Sequence, residues 1–364
     1  MGQGNVADNA EQLHVFDLPQ LYTKPSADIL LQTLGLLTSA PPSWECSDSE
    51  DYSDDYVIST RRRRSIVSGQ PVPSMSVSND GVPRYLTGII SSNLDWILDE
   101  KAKELIWEQA SLRLSERSGR SAMPAMTRKF RIPSVEHSTE IAIHEPALTA
   151  DNLGLKTWAS SYQLARRLRR IAIPSELHGS WALELGAGTG LVGISASATL
   201  GWRVCLTDLP DIVSNLQRNV DANVNAIDGC RGQACVGVLD WTKPETLTLQ
   251  CVHDVNTKDA AELPTMRFGV VLVADALYSS DHPRLLVNAI IARLLPDKNA
   301  RVIVELPLRE AFCAERDEFK ERMADIELVI IDQGQETGYD DWGWTGDAKS
   351  RDEVRCWWSI WGRS

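Results

Sequence analysis

No two cysteines in this sequence are spaced as C-x-x-C, although there are 7 of them. Cys230 and Cys235 stand nearest each other, and no histidine follows them at ligand spacing. A zinc site is therefore not expected, and the odd, scattered set suits reduced, buried thiols. Long apolar runs are also missing. Nothing is long enough to span a bilayer, and residues 1–10 lack the apolar heart of a signal peptide. These absences predict a soluble, cytoplasmic chain with no membrane partner. Positive charge is in short supply. The 37 Lys and Arg against 50 Asp and Glu leave a formal net charge of -13. Such a chain repels phosphate backbones, which argues against direct nucleic-acid contact and favours a basic protein surface or a cationic small molecule. His144, His178 and His253 stand alone and read as surface or packing residues.

What is present divides along the chain. Residues 1–14 read as a disordered tail. Residues 15–44 turn apolar, with Ser26 placed to cap a short helix carrying Ile29, Leu30, Leu31, Leu34 and Leu37. Residues 45–82 read as a disordered insert. Its stretch 45–55 has 6 acids, 3 serines and no base, and Arg61, Arg62, Arg63 and Arg64 follow. That arginine run fits a solvated linker better than a signal, but leaves room for a nuclear fraction. Residues 83–147 form an N-terminal extension. In it, Leu94, Leu98, Ala102, Leu105 and Leu112 recur at helical spacing, as if to dock this segment on the main domain. Alternation over 129–132 and 140–143 then predicts a β-hairpin.

From residue 148 to 364 the pattern becomes alternating strand and helix. Strands are expected at 181–185, 203–207, 234–239, 268–274, 300–305, 326–331 and 354–361. That is an α/β, doubly wound, seven-stranded sheet. The last two strands should pair as an antiparallel hairpin connected through residues 334–346.

The chemistry begins at Trp181-Ala-Leu-Glu184-Leu-Gly186-Ala187-Gly188-Thr-Gly190, a strand, a glycine loop and a helix start. Glycine lets backbone turn sharply and approach a ligand closely, and strand-to-helix turns at this end of a parallel sheet bind nucleotides. Asp208 ends the next strand, where a carboxylate can accept both ribose hydroxyls. Both NAD and S-adenosylmethionine fit these residues. Glu184, inside the first strand, is placed to hydrogen-bond the cationic amino-acid part of a cofactor or the neighbouring backbone. The fourth strand ends Val273-Ala274-Asp275-Ala276-Leu277-Tyr278, a polar motif at the reacting end of such a ligand. As plain structure, Asp208 could be a helix cap and Trp241 a core aromatic. Asp275 is harder to explain so, because a strand-tip acid sits in a dry cleft.

Glu184-Leu-Gly-Ala-Gly-Thr-Gly-Leu-Val-Gly193 resembles the seven-stranded methyltransferases, specifically protein-lysine methyltransferase family 16. Asp275-Ala-Leu-Tyr278 looks like that family's D-x-x-[YF] signature. Asp240-Trp241 looks like its D-W element, whose Trp borders adenine. Thr157-Trp158-Ala-Ser-Ser looks like the upstream tryptophan segment that closes over the cofactor. Within the extension, Tyr85-Leu-Thr-Gly-Ile-Ile-Ser-Ser-Asn-Leu-Asp-Trp-Ile is similar to the fungal elongation-factor lysine methyltransferases, also described as glucose-inducible methyltransferases.

The resemblance implies a protein-lysine N-methyltransferase that uses S-adenosylmethionine and no metal and acts on a protein substrate such as translation elongation factor 2; a monomer is the default expectation. Trp158, Glu184, Gly186, Ala187, Gly188, Gly190, Asp208, Asp240, Trp241 and Ala274 would bind the cofactor. Asp275 and Tyr278 would serve the acceptor lysine. The competing readings are an NAD(P) oxidoreductase, a small-molecule or nucleic-acid methyltransferase, and a non-catalytic methyltransferase-like adaptor. The first lacks a Ser/Tyr-x-x-x-Lys pair after the fourth strand. The second lacks an N-P-P-Y motif, whose place D-A-L-Y occupies.

Overall fold

The computed structural model describes residues 12–38, 76–77, 81–118, 124–134, 138–147, 153–251, 263–340 and 352–363. The acidic stretch, the arginine run and most of the expected tail and insert lie outside the described residues. The chain divides into two compact units: the described residues up to 124 belong to the first, and those from 125 onward to the second.

In the first unit, β1 (Gln12–Leu13) and β2 (Ser76–Val77) pair in parallel. Three helices follow: α1 (Ala27–Leu36), α2 (Val82–Ser91) and α3 (Glu100–Ser115). Ser26 is the residue before α1, as its sequence suggests, but its side chain makes no capping hydrogen bond. The anticipated stripe is displaced. Asp99 caps α3 by accepting from Lys101 N and Ala102 N, so the helix starts only at Glu100. Leu94 and Leu98 therefore precede it, and Leu98 is 92% exposed. The face α3 buries is Ile106, Ala110 and Arg113. Ile106 and Ala110 pack with Leu30, Leu34, Leu86 and Ile89 of α1 and α2, so the stripe serves this unit's own core.

The second unit opens with the expected hairpin, β3 (Met126–Pro133) and β4 (Ser138–Glu145). By composition the hairpin goes with the N-terminal extension. In the structure its Phe130, Ile132, Ile141 and Ile143 lie in the same core as the sheet. After it come α4 (Ala159–Arg167), β5 (Trp181–Leu185), α5 (Leu191–Leu200), β6 (Arg203–Asp208), α6 (Pro210–Ala222), α7 (Val224–Gly229), β7 (Gln233–Val238), β8 (Thr248–Cys251), β9 (Val270–Ala274), α8 (His282–Arg293), β10 (Arg301–Pro307), α9 (Cys313–Asp325), β11 (Leu328–Asp340) and β12 (Asp352–Arg363). Asparagines one turn apart, on α6 and just past its end, hold the hairpin. Asn223 Oδ1 accepts from Ala142 N at 2.9 Å, Asn219 Oδ1 accepts from His144 N at 2.8 Å, and their amide nitrogens donate back to the same strand. Side-chain amides here satisfy backbone groups on β4 that no further strand meets.

The sheet order is β11-β12-β10-β9-β5-β6-β7-β8. The central pairs are parallel, and β12 runs antiparallel between β10 and β11. Each of the seven expected strands has its counterpart. An eighth, β8, adds an antiparallel edge beyond β7. The final hairpin is longer than its sequence suggests: Gly334 pairs with Trp358 and Gly338 with Val354, inside what reads as a connection. Gly334 is needed there, because a Cβ would come within 2.8 Å of the Trp358 ring. One sheet face packs on α4, α5 and α6, the other on α8 and α9. Both faces are thus covered, which explains why a strand such as β9 reads as an uninterrupted apolar run. It also leaves the carboxyl ends of β5, β6 and β9 as the place for a ligand.

Candidate active site

The cofactor side is built from backbone. Gly186, Gly188 and Gly190 take φ of 67°, 57° and 86°, left-handed values that side-chain-bearing residues avoid. Ala187 N donates to Thr207 O at 2.9 Å and Gly190 N to Ala187 O at 2.8 Å, which closes the loop against β6. Asp208 accepts from Gly188 N and Leu209 N, both at 2.7 Å. Burial pushes its carboxyl upward, while those two N–H groups pull the other way. Glu184 lies behind the loop. It accepts from Gly193 N at 2.8 Å, so of its two anticipated partners the structure gives it the backbone. Burial, reinforced by the Asp208 charge, raises its carboxyl to about 8.

Asp240 spends its carboxylate locally. Oδ1 accepts from Thr242 N and Thr242 Oγ1 at 2.8 Å, and these bonds hold its pKa below the ordinary aspartate value. That turn sets Trp241, whose ring lies 3.1 Å from where a Cβ on Gly186 would sit. Glycine loop and indole are therefore in contact, and a side chain at position 186 would push them apart.

The acceptor side is built from side chains. Ala274 ends β9, and Asp275 takes φ 51°, an unusual backbone for a non-glycine residue and of the kind found at functional sites. Its Oδ2 accepts from Ser160 Oγ at 2.9 Å and lies 3.7 Å from Arg309. Arg309 also lies 3.7 Å from Asp340, which in turn pairs with the buried Lys156. The Trp158 ring is flanked by both cations, Lys156 at 4.3 Å and Arg309 at 4.9 Å from its centroid. Burial raises the Asp275 carboxyl; the Arg309 charge and the Ser160 hydrogen bond oppose it. Tyr278 is 53% exposed. Its phenol is raised first by burial, then by the charges of Asp208 and Asp275. Its ring meets that of His282 at 4.3 Å, and the His282 ring meets that of Trp241 at 5.9 Å, which places Tyr278 between the cofactor and acceptor halves.

One segment joins those halves. Thr157 N donates to the buried Glu145 at 2.8 Å, and Thr157 Oγ1 meets Thr189 Oγ1 at 2.8 Å. Three residues later Ser160 reaches Asp275. Residues 157–160 therefore run from the glycine loop to the acceptor acid. All twelve sequence-predicted site residues stand at this end of the sheet or on segments bonded to it. Thr157 and Ser160 were within reach of sequence reasoning, because they flank Trp158. Arg309, Asp340, Lys156 and His282 carry no local signal. A 570 Å³ cavity lined by Leu168, Ile171, Leu177, Leu200 and Trp202 opens at the other end of β5 and β9, and none of the site residues line it.

The donor set suits S-adenosylmethionine. It offers a carboxylate with lone pairs left for a ribose diol, an indole face for a purine, and a loop stripped of side chains. Residues 135–324 match the family described as Lysine methyltransferase. Protein-lysine N-methyltransferase rrg1 of Schizosaccharomyces pombe is 36% identical over 278 residues, 76% of this chain and 84% of its own. Protein-lysine N-methyltransferase EFM2 of Saccharomyces cerevisiae is 34% identical over 294 residues; that alignment spans 75% of this chain and 65% of EFM2. EEF1A lysine methyltransferase 3 of Xenopus tropicalis is 53% identical over a shorter stretch of 51 residues, 14% of this chain.

Proposed function

Because this chain belongs to the lysine methyltransferase family, and is a protein-lysine N-methyltransferase that uses S-adenosylmethionine, we propose that its acceptor is a lysine of translation elongation factor 2. The similarity of residues 85–97 to the fungal elongation-factor enzymes supports that target. We further infer that it works in the cytoplasm, a reading supported by the odd, scattered set of 7 cysteines, which suits reduced thiols.

The observation that carries the site assignment is Asp275, buried at a strand tip in a left-handed backbone and held by Ser160 and Arg309. When bound, S-adenosylmethionine supplies a methyl group on a sulfonium, already attached to a good leaving group. What the chain must do is position and desolvate. Asp208 would accept from the ribose hydroxyls, Trp241 would cover the adenine, and the loop of Gly186, Ala187, Gly188 and Gly190 would run beneath the ligand. Ala274 and Trp158 would border it on the acceptor side.

A lysine ammonium, which ordinarily ionises at about pH 10.4, must lose its proton before it attacks. Asp275 would orient the incoming ammonium and take that proton. Burial fits it for the task, because an acid held above its ordinary pKa is a stronger base. Tyr278 would wall the lysine channel and hydrogen-bond the amine.

The test pairs purified elongation factors 2 and 1A with labelled S-adenosylmethionine and locates the modified lysine by mass spectrometry. Label on factor 2 alone, abolished by Asp275→Ala, is the expected result. Label on factor 1A alone would overturn the target, as would label on neither factor.

A further inference from the structure

Between the adenine wall and the lysine channel stands a residue that neither role accounts for. His282 is the first residue of α8, followed by Pro283 in the first turn, so the helix start presents the imidazole in a fixed place. Its ring lies 4.3 Å from that of Tyr278 at 83° and 5.9 Å from that of Trp241 at 76°, both edge-on. Trp241 in turn lies against Gly186. A continuous stack thus runs from the glycine loop through Trp241 and His282 to Tyr278.

The same ring also grips the loop. His282 Nδ1 is 3.0 Å from Ala276 O and 3.5 Å from Tyr278 N. A carbonyl can only accept, so at the shorter distance Nδ1 carries the proton and donates; the longer contact is at the edge of hydrogen bonding. Ala276 directly follows Asp275, whose own N–H donates to Glu305 O at 3.0 Å. The D-A-L-Y loop is therefore fixed at its start by β10 and at its middle by His282. Aromatic pairs of this geometry are worth about 0.5–1.5 kcal/mol beyond simple burial, enough to bias the orientation of a surface tyrosine.

We propose that His282 is a positioning residue that sets Trp241, Tyr278 and the Asp275 loop relative to one another, and so ties cofactor binding to acceptor capture. This rests on the roles assigned to Trp241, Asp275 and Tyr278 above. A histidine that merely packs would contribute to stability alone. A positioning histidine has two separable functions, a ring between two rings and a donor to one carbonyl.

Three variants of the full chain separate them: His282→Ala removes both, His282→Phe keeps a ring without the donor, and His282→Asn keeps a donor without the ring. Each is measured for S-adenosylmethionine affinity by titration calorimetry, for kcat with the acceptor protein, and for Tm. The Ala variant should lose about tenfold in affinity and about tenfold in kcat, in line with the rate cost of misplacing reacting groups. The Phe variant should recover affinity but not kcat, and the Asn variant kcat but not affinity. Wild-type affinity and kcat in the Ala variant would overturn the proposal. So would Phe and Asn variants that fall in step with Ala and with Tm, which is the signature of packing. Should the wild type methylate no protein lysine, the functional reading fails, while the calorimetric contrast between Phe and Asn still decides the role of His282 in binding.

Discussion

Asp208 ends β6 and Asp275 follows directly on β9 in the same sheet; the first is partly buried, the second buried, and desolvation pushes both carboxyls upward. Their surroundings differ in kind. Asp208 is held by backbone N–H groups of Gly188 and Leu209, the first 20 residues away in sequence and part of one motif. Asp275 is held by side chains from residue 160, 115 positions away, and from Arg309. The cofactor half is thus a local backbone construction, and the acceptor half is assembled from remote side chains. The sharpest way to break this contrast is to remove each acid. Asp275→Ala should lower kcat by about 10²-fold or more, the scale of a lost acid–base group, while S-adenosylmethionine affinity moves by less than about threefold. Asp208→Ala should do the reverse, losing affinity first. Equal losses of affinity and kcat in both variants, measured by calorimetry and initial rates, would erase the distinction.

Arg309 tests the acceptor half at a smaller scale. Its guanidinium opposes the upward push on Asp275. Without it, Asp275 should hold its proton to higher pH and fail as a proton acceptor over a wider range. Arg309→Met should lower kcat by about tenfold near neutral pH and move the acidic limb of the kcat profile upward. An unmoved limb would mean that the 3.7 Å pair has no bearing on Asp275.

That asymmetry also explains what could be read from the chain alone. The glycine loop, Asp208, Asp240-Trp241 and D-A-L-Y are short runs whose spacing is their chemistry, and seven strands follow from apolar runs bounded by turns. Arg309, Asp340, Lys156 and His282 gain their meaning only when the fold brings them together, since no run of neighbours marks them out. The long final hairpin was hidden for a related reason. Gly334 and Gly338 look like loop residues, and only the Trp358 and Gln163 side chains pressed against them explain why strands need glycine there. The N-terminal stripe failed differently, because a cap at Asp99 shifts the helix start past Leu94 and Leu98.

Glu184 sharpens the comparison from the cofactor side, where an acid is buried for structure. Its carboxyl ionises at about 8 in the folded chain against 4.5 ordinarily. Between those values the folded state keeps a proton that the unfolded chain has released. Its contribution is therefore fully present below pH 4.5 and lost as pH rises through about 8. The loss is on the order of a few kcal/mol. Glu184→Gln stays neutral and can still accept from Gly193 N, so its stability should fall less between about pH 5 and about pH 8, as followed by denaturant unfolding at each pH. An unchanged slope would place the titration elsewhere.

The smallest expected effects come from two glycines with ordinary helical backbone, one beside the loop and one in the first unit. Gly193 lies in α5, where a Cβ would come within 2.4 Å of Glu184 Oε2 and 2.7 Å of Leu206. Both neighbours are buried and fixed, so Gly193→Ala should destabilise by about 1–3 kcal/mol, as overpacking does, and should weaken cofactor binding by displacing the acid behind the loop. Gly35 lies in α1, where a Cβ would meet nothing within 4 Å. Gly35→Ala should therefore stabilise, by about 0.4–1 kcal/mol, because it removes freedom only from the unfolded chain. The two substitutions are chemically identical and opposite in sign. If denaturant unfolding shows Gly193→Ala to be neutral, the close packing behind the loop is looser than the Glu184 contact implies, and the backbone-built half of the site tolerates more than its geometry suggests.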